Sequence, residues 1–131
     1  MALKKKFAIE KPLTELELQI MNSVWDLGDC TVKDVQSSLA ETRELAYTSV
    51  ATMMKILEQK GFLETRKGDR AHTYRPVVSR ADYESTSLKL LEQNVFRGNP
   101  SSMVQRLLTD SDLSEQELQK IRKVLDERLR K

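Results

Sequence analysis

The chain has 131 residues and a nearly balanced charge, with 22 lysines and arginines against 20 aspartates and glutamates. Hydrophobic residues make up 39% of the chain and aromatic residues 5%, which favours a mainly helical protein over a β-sandwich with a large aromatic core. No apolar run is long enough for a transmembrane helix, and the single cysteine, Cys30, excludes an internal disulfide and a thiolate metal cluster. We therefore expect a cytoplasmic protein that holds no metal or other cofactor.

A basic segment precedes the first predicted helix. Residues 1–12 carry four lysines against one glutamate, and no apolar core follows them, which argues against a signal peptide. The segment is predicted to be a flexible basic arm, and the alternative is an ordinary solubilising tail.

Two short helices are predicted next. Thr14 and Glu17 form a capping box that begins the first helix, and Gly28 ends it. Thr31 begins the second helix, which extends to about Glu41. Apolar residues recur at helical spacing and predict a shared core of Leu16, Ile20, Met21, Val24, Trp25 and Leu27 with Val32, Val35 and Leu39.

A third helix is predicted from about Ala46 to Lys60, with Gly61 as its C-terminal stop. One face is apolar and is predicted to be buried, through Tyr47, Val50, Met53, Met54 and Leu57. The opposite face carries small or polar side chains: Thr48, Ser49, Ala51, Thr52 and Lys55.

The sequence period changes after Gly61. Residues 62–67 and 70–75 are predicted strands that a Gly68-Asp69 turn connects, and Pro76 is predicted to stop the second strand. Two strands are marginal alone, so the hairpin must pack on the preceding helices. From Arg66 to Arg75 the hairpin carries one acidic residue, Asp69, against four basic ones: Arg66, Lys67, Arg70 and Arg75.

Three short helices followed by a hairpin is the element order of a winged helix-turn-helix, in which the third helix enters the major groove and the wing reaches the flanking backbone. Small side chains allow a close approach to the groove floor, and wing cations would release counterions from phosphates. The predicted DNA-binding residues are Tyr47, Thr48, Ser49, Ala51, Thr52 and Lys55 of the helix and Arg66, Lys67 and Arg70 of the wing.

The face of the third helix that would meet DNA lacks the Arg, Asn or Gln side chains that make bidentate contacts with bases. Direct readout would then rest on hydroxyl and methyl groups, and DNA shape would supply part of the specificity. Tyr47 is ambiguous between a core residue and a phosphate contact. Taken singly, the polar helix face and the basic hairpin are also typical of an ordinary solvated surface.

Residues 79–131 are predicted to be helical, with helices at about 79–96, 102–108 and 115–130, a break at 98–101 and a second capping box at Ser114 and Glu117. A segment of this length cannot enclose its apolar residues alone, so we predict a symmetric homodimer, with folding back onto the first domain as the alternative. A dimer would place two reading helices about 34–36 Å apart on a pseudo-palindromic site. The predicted dimerisation residues are Leu88, Leu91, Val95, Phe96, Val104, Leu107, Leu108, Leu118, Ile121 and Leu125.

The predicted organisation is thus a basic arm (1–12), a winged-helix DNA-binding domain (13–78) and a helical dimerisation domain (79–131). Several segments, in this order, carry a family resemblance: Leu13–Glu17, Val24-Trp25, Thr31-Val32, Leu45–Val50, Leu57–Phe62 and Arg70–Tyr74. Through them almost the whole chain resembles the BlaI/MecI/CopY family of bacterial repressors. The resemblance implies a homodimeric winged-helix repressor of double-stranded operator DNA, whose relatives bind TACA/TGTA-type dyads.

Two departures limit what the resemblance implies. Copper-responsive relatives carry a cysteine-rich C-terminal metal motif, whereas this chain has no cysteine after Cys30. Relatives that respond to β-lactams are cleaved by a membrane sensor-protease at an Asn-Phe bond, which local alignment places at Arg106-Leu107. Because that pair is absent, the resemblance does not by itself imply cleavage at this bond, and a membrane sensor-protease is left as an alternative partner.

Two other function classes fit the residues less well. An enzyme would need a base and an orienting group beside a nucleophile, and neither Cys30 nor His72 has such neighbours in the sequence, so no catalytic residue is predicted. A winged-helix protein-interaction module that does not recognise a DNA sequence is the alternative function, and the basic wing argues against it.

Overall fold

The computed structural model describes residues 12–66 and 72–130. The predicted basic arm apart from Pro12 lies outside these residues, as do the predicted wing turn and the candidate contacts Lys67 and Arg70. Six helices and two strands follow one another in the described ranges: α1 (Glu15–Leu27), α2 (Val32–Leu39), α3 (Tyr47–Gln59), β1 (Leu63–Arg66), β2 (Thr73–Pro76), α4 (Arg80–Asn94), α5 (Pro100–Asp110) and α6 (Glu115–Leu129). The predicted fold class is confirmed: a mainly helical chain whose N-terminal part is a winged helix-turn-helix.

Helix α1 begins at the predicted capping box. The Thr14 hydroxyl accepts from the Glu17 amide, and the Glu17 carboxylate accepts from the Thr14 amide. The predicted core residues Ile20, Met21 and Val24 are fully buried. Leu27 was predicted to join them and is instead 45% exposed, because it is the last residue of α1 and the chain turns away at Gly28, whose φ is 81°.

Helices α2 and α3 form the helix-turn-helix. Helix α2 buries Val32, Val35 and Leu39, as predicted, but it ends at Leu39 instead of about Glu41. The carbonyl of Leu39 accepts from the amides of Thr42 and Arg43, which closes the turn early. The Gln36 side chain then donates to the Leu45 carbonyl at 3.0 Å and holds the connection to α3.

The wing strands β1 and β2 pair antiparallel, with Leu63 opposite Pro76 and Arg66 opposite Thr73. Pro76 was predicted to stop the second strand and is instead its last residue, because the end of an edge strand tolerates a residue without an N–H group. The second strand also begins later than predicted, at Thr73. Phe62 and Leu63 are buried at the root of the wing, which anchors the hairpin on the helices.

Three helices follow the wing. Helix α4 starts after the Ser79 cap, whose hydroxyl accepts from the Asp82 amide. Pro100 and Ser101 were predicted to lie in a break and instead belong to α5, because the Asn99 side chain caps that helix and Pro100 occupies its first turn. Helix α6 begins at the predicted capping box of Ser114 and Glu117.

The chain divides into two compact units after Leu88. We call the described residues up to Leu88 the head and the described residues from Lys89 onward the arm. The predicted domain boundary lay earlier, at residue 78, whereas the first turns of α4 pack in the head through the buried side chain of Tyr83.

An ion pair connects the first turn of α1 to the C-terminal end of α3. Lys60, at the C-terminal end of α3, lies 2.7 Å from the Glu17 carboxylate, which is almost fully buried in α1. Burial raises the pKa of Glu17, but hydrogen bonds from Lys60 and Thr14 and the charge of Lys60 outweigh it, so the pKa lies below its ordinary value. Charged Glu17 therefore stabilises the folded head.

We expect Glu17→Gln to make the head less stable at pH 7, by about 1 kcal/mol, and less sensitive to acid. Glutamine can keep the capping hydrogen bond from the Thr14 amide, but it loses the charge, and its amide nitrogen cannot accept the hydrogen bond that Lys60 donates. Because the folded pKa of Glu17 is lowered, its contribution is present above the ordinary glutamate pKa of about 4.3 and is lost as the pH falls through the lower folded value. Urea unfolding at pH 7 and across pH 3–5 measures this, and a parallel acid response in both chains would contradict it.

Candidate nucleic-acid interface

Helix α3 has one buried and one exposed face. Its fully buried side chains are Val50, Met54 and Leu57. The predicted contact residues lie on the other side, where Ala51 is half-buried and the remaining four are exposed: Thr48, Ser49, Thr52 and Lys55. The small exposed side chains leave the backbone of α3 accessible to a groove.

Tyr47 belongs to the exposed surface and not to the core. It was predicted in the apolar stripe with Val50 and Leu57, but 52% of its surface is accessible. The reason is its place as the first residue of α3, at the edge of the helix-turn-helix core. Tyr47 was left open between a core residue and a phosphate contact, and the first interpretation is wrong.

A cleft of about 500 Å³ lies beside the exposed face of α3. Its walls come from the start of α2, from α3 and from the root of β2. The lining residues are Thr31, Val32, Lys33, Tyr47, Ala51, Lys55, His72 and Tyr74. Two ammonium groups, an imidazole and two phenols thus share one concave surface, which is the chemistry that binds phosphate groups.

Lys33 and His72 were not among the predicted contacts. Neither residue stands in a charge cluster or on the α3 face, so no local pattern in the sequence identifies them. They share the cleft because a two-way backbone bridge connects Cys30 to Tyr74, with N–O distances of 2.7 and 2.9 Å. The bridge brings the start of α2 against the start of β2.

Both bridge residues are buried, and burial keeps their side chains protonated near neutral pH. Burial raises the pKa of the Cys30 thiol to about 11, and the carboxylates of Asp34 and Asp29 add to the effect. Burial also raises the pKa of Tyr74, with smaller contributions from Glu58 and Tyr47. Cys30 therefore acts as a packed thiol, and Tyr74 keeps its proton.

The wing contributes fewer free cations than its sequence indicates. Arg66 is exposed at the end of β1. Arg75 lies opposite Glu64 in the strand register, and its guanidinium is 3.6 Å from the Glu64 carboxylate. Because this pairing partly neutralises Arg75, the wing's positive charge rests on Arg66 and on the two cations outside the described residues.

The apolar residues that were predicted to bury in a dimer lie in the arm, apart from Leu88 at the end of the head. Phe96 is half-buried, and the other nine are exposed: Leu88, Leu91, Val95, Val104, Leu107, Leu108, Leu118, Ile121 and Leu125. On α6 they recur at i, i+3 and i+7 and form one stripe. The Arg106-Leu107 pair lies inside α5, where Arg106 is 3.5 Å from Asp110.

Other kinds of site are not found in the described part of the chain. Among residues 12–66 and 72–130, no three His, Cys, Asp or Glu side chains cluster in a way that could hold a metal ion. In the same residues, no helix is both long enough and apolar enough to cross a membrane.

Known proteins align with this chain over most of its length. A family model described as penicillinase repressor matches residues 13–127. The penicillinase repressor of Bacillus licheniformis is 25% identical over 115 residues, which covers 88% of this chain and 90% of that protein. The methicillin resistance regulatory protein MecI of Mammaliicoccus sciuri is 22% identical over 116 residues, which covers 88% of this chain and 94% of that protein.

Two matches are confined to part of the chain. The transcriptional regulator BlaI of Mycobacterium tuberculosis (strain ATCC 25618 / H37Rv) is 38% identical over 69 residues, 52% of this chain and 50% of that protein. The solution structure of the DNA-binding domain of the repressor BlaI is 27% identical, with a TM-score of 0.49, and covers 54% of this chain and 87% of that one. With the family match over residues 13–127, the chain belongs to the penicillinase repressor family, the BlaI/MecI group of DNA-binding transcriptional repressors.

Proposed function

We propose that the chain represses transcription as a homodimer, in which each head binds one half of a pseudo-palindromic operator in the cytoplasm. The observation that carries this proposal is the cleft beside α3, where Lys33, Lys55 and His72 line one concave surface with Ala51 of the exposed helix face. Cations at the rim would hold phosphates, and the face between them would meet base edges in the major groove.

The readout on this face would rest on small groups. Thr48, Ser49 and Thr52 offer hydroxyls, and the methyl groups of Ala51 and the threonines would contact thymine methyl groups. Lys33 and Lys55 would contact the backbone and fix the register of α3 on the duplex. Arg66, with Lys67 and Arg70, would reach the flanking phosphates from the wing.

The arm supports the dimer. Its exposed apolar residues form a stripe along α6, and α5 also exposes Val104, Leu107 and Leu108; such exposed apolar surfaces mark protein interfaces. A two-fold partner that uses the same stripe would cover both copies at once. Cleavage at Arg106-Leu107 by a membrane sensor-protease is not part of this proposal, because the pair differs from the one cleaved in the relatives.

Fluorescence anisotropy with a labelled duplex from the DNA upstream of the chain's own gene tests the function. We expect tight, salt-sensitive binding that unrelated duplexes of the same length do not compete. Equal weak binding to every duplex would contradict a sequence-specific repressor and favour the protein-interaction module.

We expect Lys33→Ala to weaken binding to the upstream duplex and to unrelated duplexes by a similar factor. If Lys33 contacts a phosphate, the slope of log affinity against log salt should fall by about 0.9 per head. Lys89→Ala, on the arm side of α4, is the charge-matched control. An unchanged slope for Lys33→Ala would remove this residue from the interface.

A further inference from the structure

His72 lies beside the exposed face of α3, next to an anchored segment of backbone. It directly precedes β2, whose first residue, Thr73, pairs with Arg66 across the wing. Two residues after His72, Tyr74 is held to Cys30 by main-chain hydrogen bonds of 2.7 and 2.9 Å. Residues two apart in an extended chain share a face, which agrees with the presence of both His72 and Tyr74 in the lining of the cleft.

The cleft around His72 is basic. Lys33 of α2 and Lys55 of α3 line it together with the imidazole, and all three side chains are exposed. Tyr47 of α3 and Tyr74 of β2 add two phenols. Among the described residues that line the cleft, none carries a carboxylate, so an anion that enters it meets only positive or neutral groups there.

The acidic side chains on the same elements have other partners. On α2, the Asp34 carboxylate accepts from the Thr31 amide as part of the capping box. On α3, the Glu58 carboxylate accepts from the Thr65 hydroxyl. Glu64 of β1 belongs to the ion pair within the wing. These three carboxylates are engaged in the fold itself, and none of them lines the cleft.

One side chain of the sequence is of the type that changes charge near neutral pH. The 131 residues contain a single histidine, His72, and histidine ordinarily titrates between pH 5 and 8. Burial raises the pKa of the Cys30 thiol to about 11 and also raises the pKa of Tyr74, so both keep their protons in this range. Asp69, in the predicted wing turn, lies outside the described residues, and aspartate ordinarily titrates at about pH 3.9.

We propose that His72 binds a DNA phosphate as imidazolium, so that each head takes up a proton from solvent when it binds and the affinity for the operator rises as the pH falls from 7.5 to 6.0. The inference rests on the proposed function, since it deepens the assignment of the cleft as a phosphate contact. Imidazolium donates from both ring nitrogens, whereas neutral imidazole has one N–H group. A charged donor also makes the stronger bond to a phosphate oxygen. Because the complex favours the charged form, a lower pH favours binding until the free head is protonated as well.

The test measures fluorescence anisotropy of the full chain with the upstream duplex at pH 6.0 and pH 7.5, at constant ionic strength. His72→Gln removes the titrating group, and His72→Arg replaces it with a permanent positive charge. The control combines His72→Gln with Ser85→His, which returns an imidazole to an exposed position on α4. Thermal unfolding at both pH values checks that each variant is folded.

The affinity of the unsubstituted chain should rise about fourfold for each bound head between pH 7.5 and pH 6.0, the effect of a one-unit shift on an ordinary imidazole. The salt dependence should be steeper at pH 6.0, because an additional cation releases counterions from the duplex. Both differences should disappear in His72→Gln and in the double variant. His72→Arg should bind at pH 7.5 at least as tightly as the unsubstituted chain does at pH 6.0, without a pH dependence.

Two results would overturn the role of His72 while leaving the repressor intact. One is sequence-specific binding with the same affinity at both pH values. The other is a pH dependence that His72→Gln retains or that the double variant restores, which would indicate another titrating group or general charge attraction in place of a contact in the cleft. Equal binding to every duplex would instead contradict the proposed repressor, and the comparison with His72→Gln would still decide whether the contact exists.

Discussion

Ser49→Glu should lower affinity for the upstream duplex at least about 100-fold, since a like charge placed against a charged partner costs several kcal/mol. Ser49 lies in the first turn of α3, on the exposed face beside Thr48 and Thr52. A carboxylate there would approach the phosphates and base edges that the proposed interface places against this face.

The same substitution should leave the fold intact or stabilise it slightly. Helix α3 has no side-chain hydrogen bond at its N-cap, Ala46. A glutamate at the third helical position can accept from the N-cap amide and complements the positive end of the helix dipole. Thermal unfolding of the variant therefore separates loss of binding from loss of structure.

Ser85→Glu is the matched control for this substitution. Ser85 is exposed on α4, and the change adds the same charge away from the α3 face. We expect it to alter affinity by no more than about twofold, through the net charge alone. A comparable loss for both variants, or none for Ser49→Glu, would remove the exposed face of α3 from the DNA interface.

Leu118→Glu should dissociate the proposed dimer, with a dissociation constant raised at least about 100-fold. Leu118 begins the apolar stripe of α6, which Ile121 and Leu125 continue. In a symmetric interface each substitution occurs twice, so two carboxylates would be buried without partners. Sedimentation velocity over a range of concentrations measures the effect.

The neighbouring residue supplies the control. Gln119 lies on the polar side of α6, in line with Arg122, Lys123 and Asp126. Gln119→Glu adds the same charge one residue away and should leave the dimer unchanged. If both variants stay dimeric, the arm does not associate through this stripe, and equal dissociation of both would indicate net-charge repulsion in place of a buried contact.

Local signals predicted the helices well. The capping boxes at Thr14, Thr31 and Ser114 each depend on residues three positions apart, so the sequence shows them directly. Periodicity also identified the buried residues in the middle of α1, α2 and α3. It was wrong for Leu27 and Tyr47, because a helical period shows which side faces a core but not where along the helix the core ends.

Contacts between distant parts of the chain could not be predicted. The Glu17–Lys60 ion pair joins residues 43 positions apart, and nothing in either segment indicates the other. The Cys30–Tyr74 bridge, which brings Lys33 beside His72, is equally remote in sequence. The pairing of Glu64 with Arg75 was missed as well, because the predicted two-residue turn would place Glu64 opposite Thr73, whereas the observed register places it opposite Arg75. The contact and dimer residues themselves stay predictions.

The Cys30–Tyr74 bridge has a consequence for how new operator preferences could arise. Both of its hydrogen bonds are between main-chain atoms, so the bridge does not depend on the exposed side chains of the cleft beside it. Lys33 and Lys55 line the cleft with their side chains exposed, and neither belongs to the buried core. In the proposed interface, these two lysines are thus separate from the residues that build the core, and substitutions at such exposed contact positions should cost little folding stability.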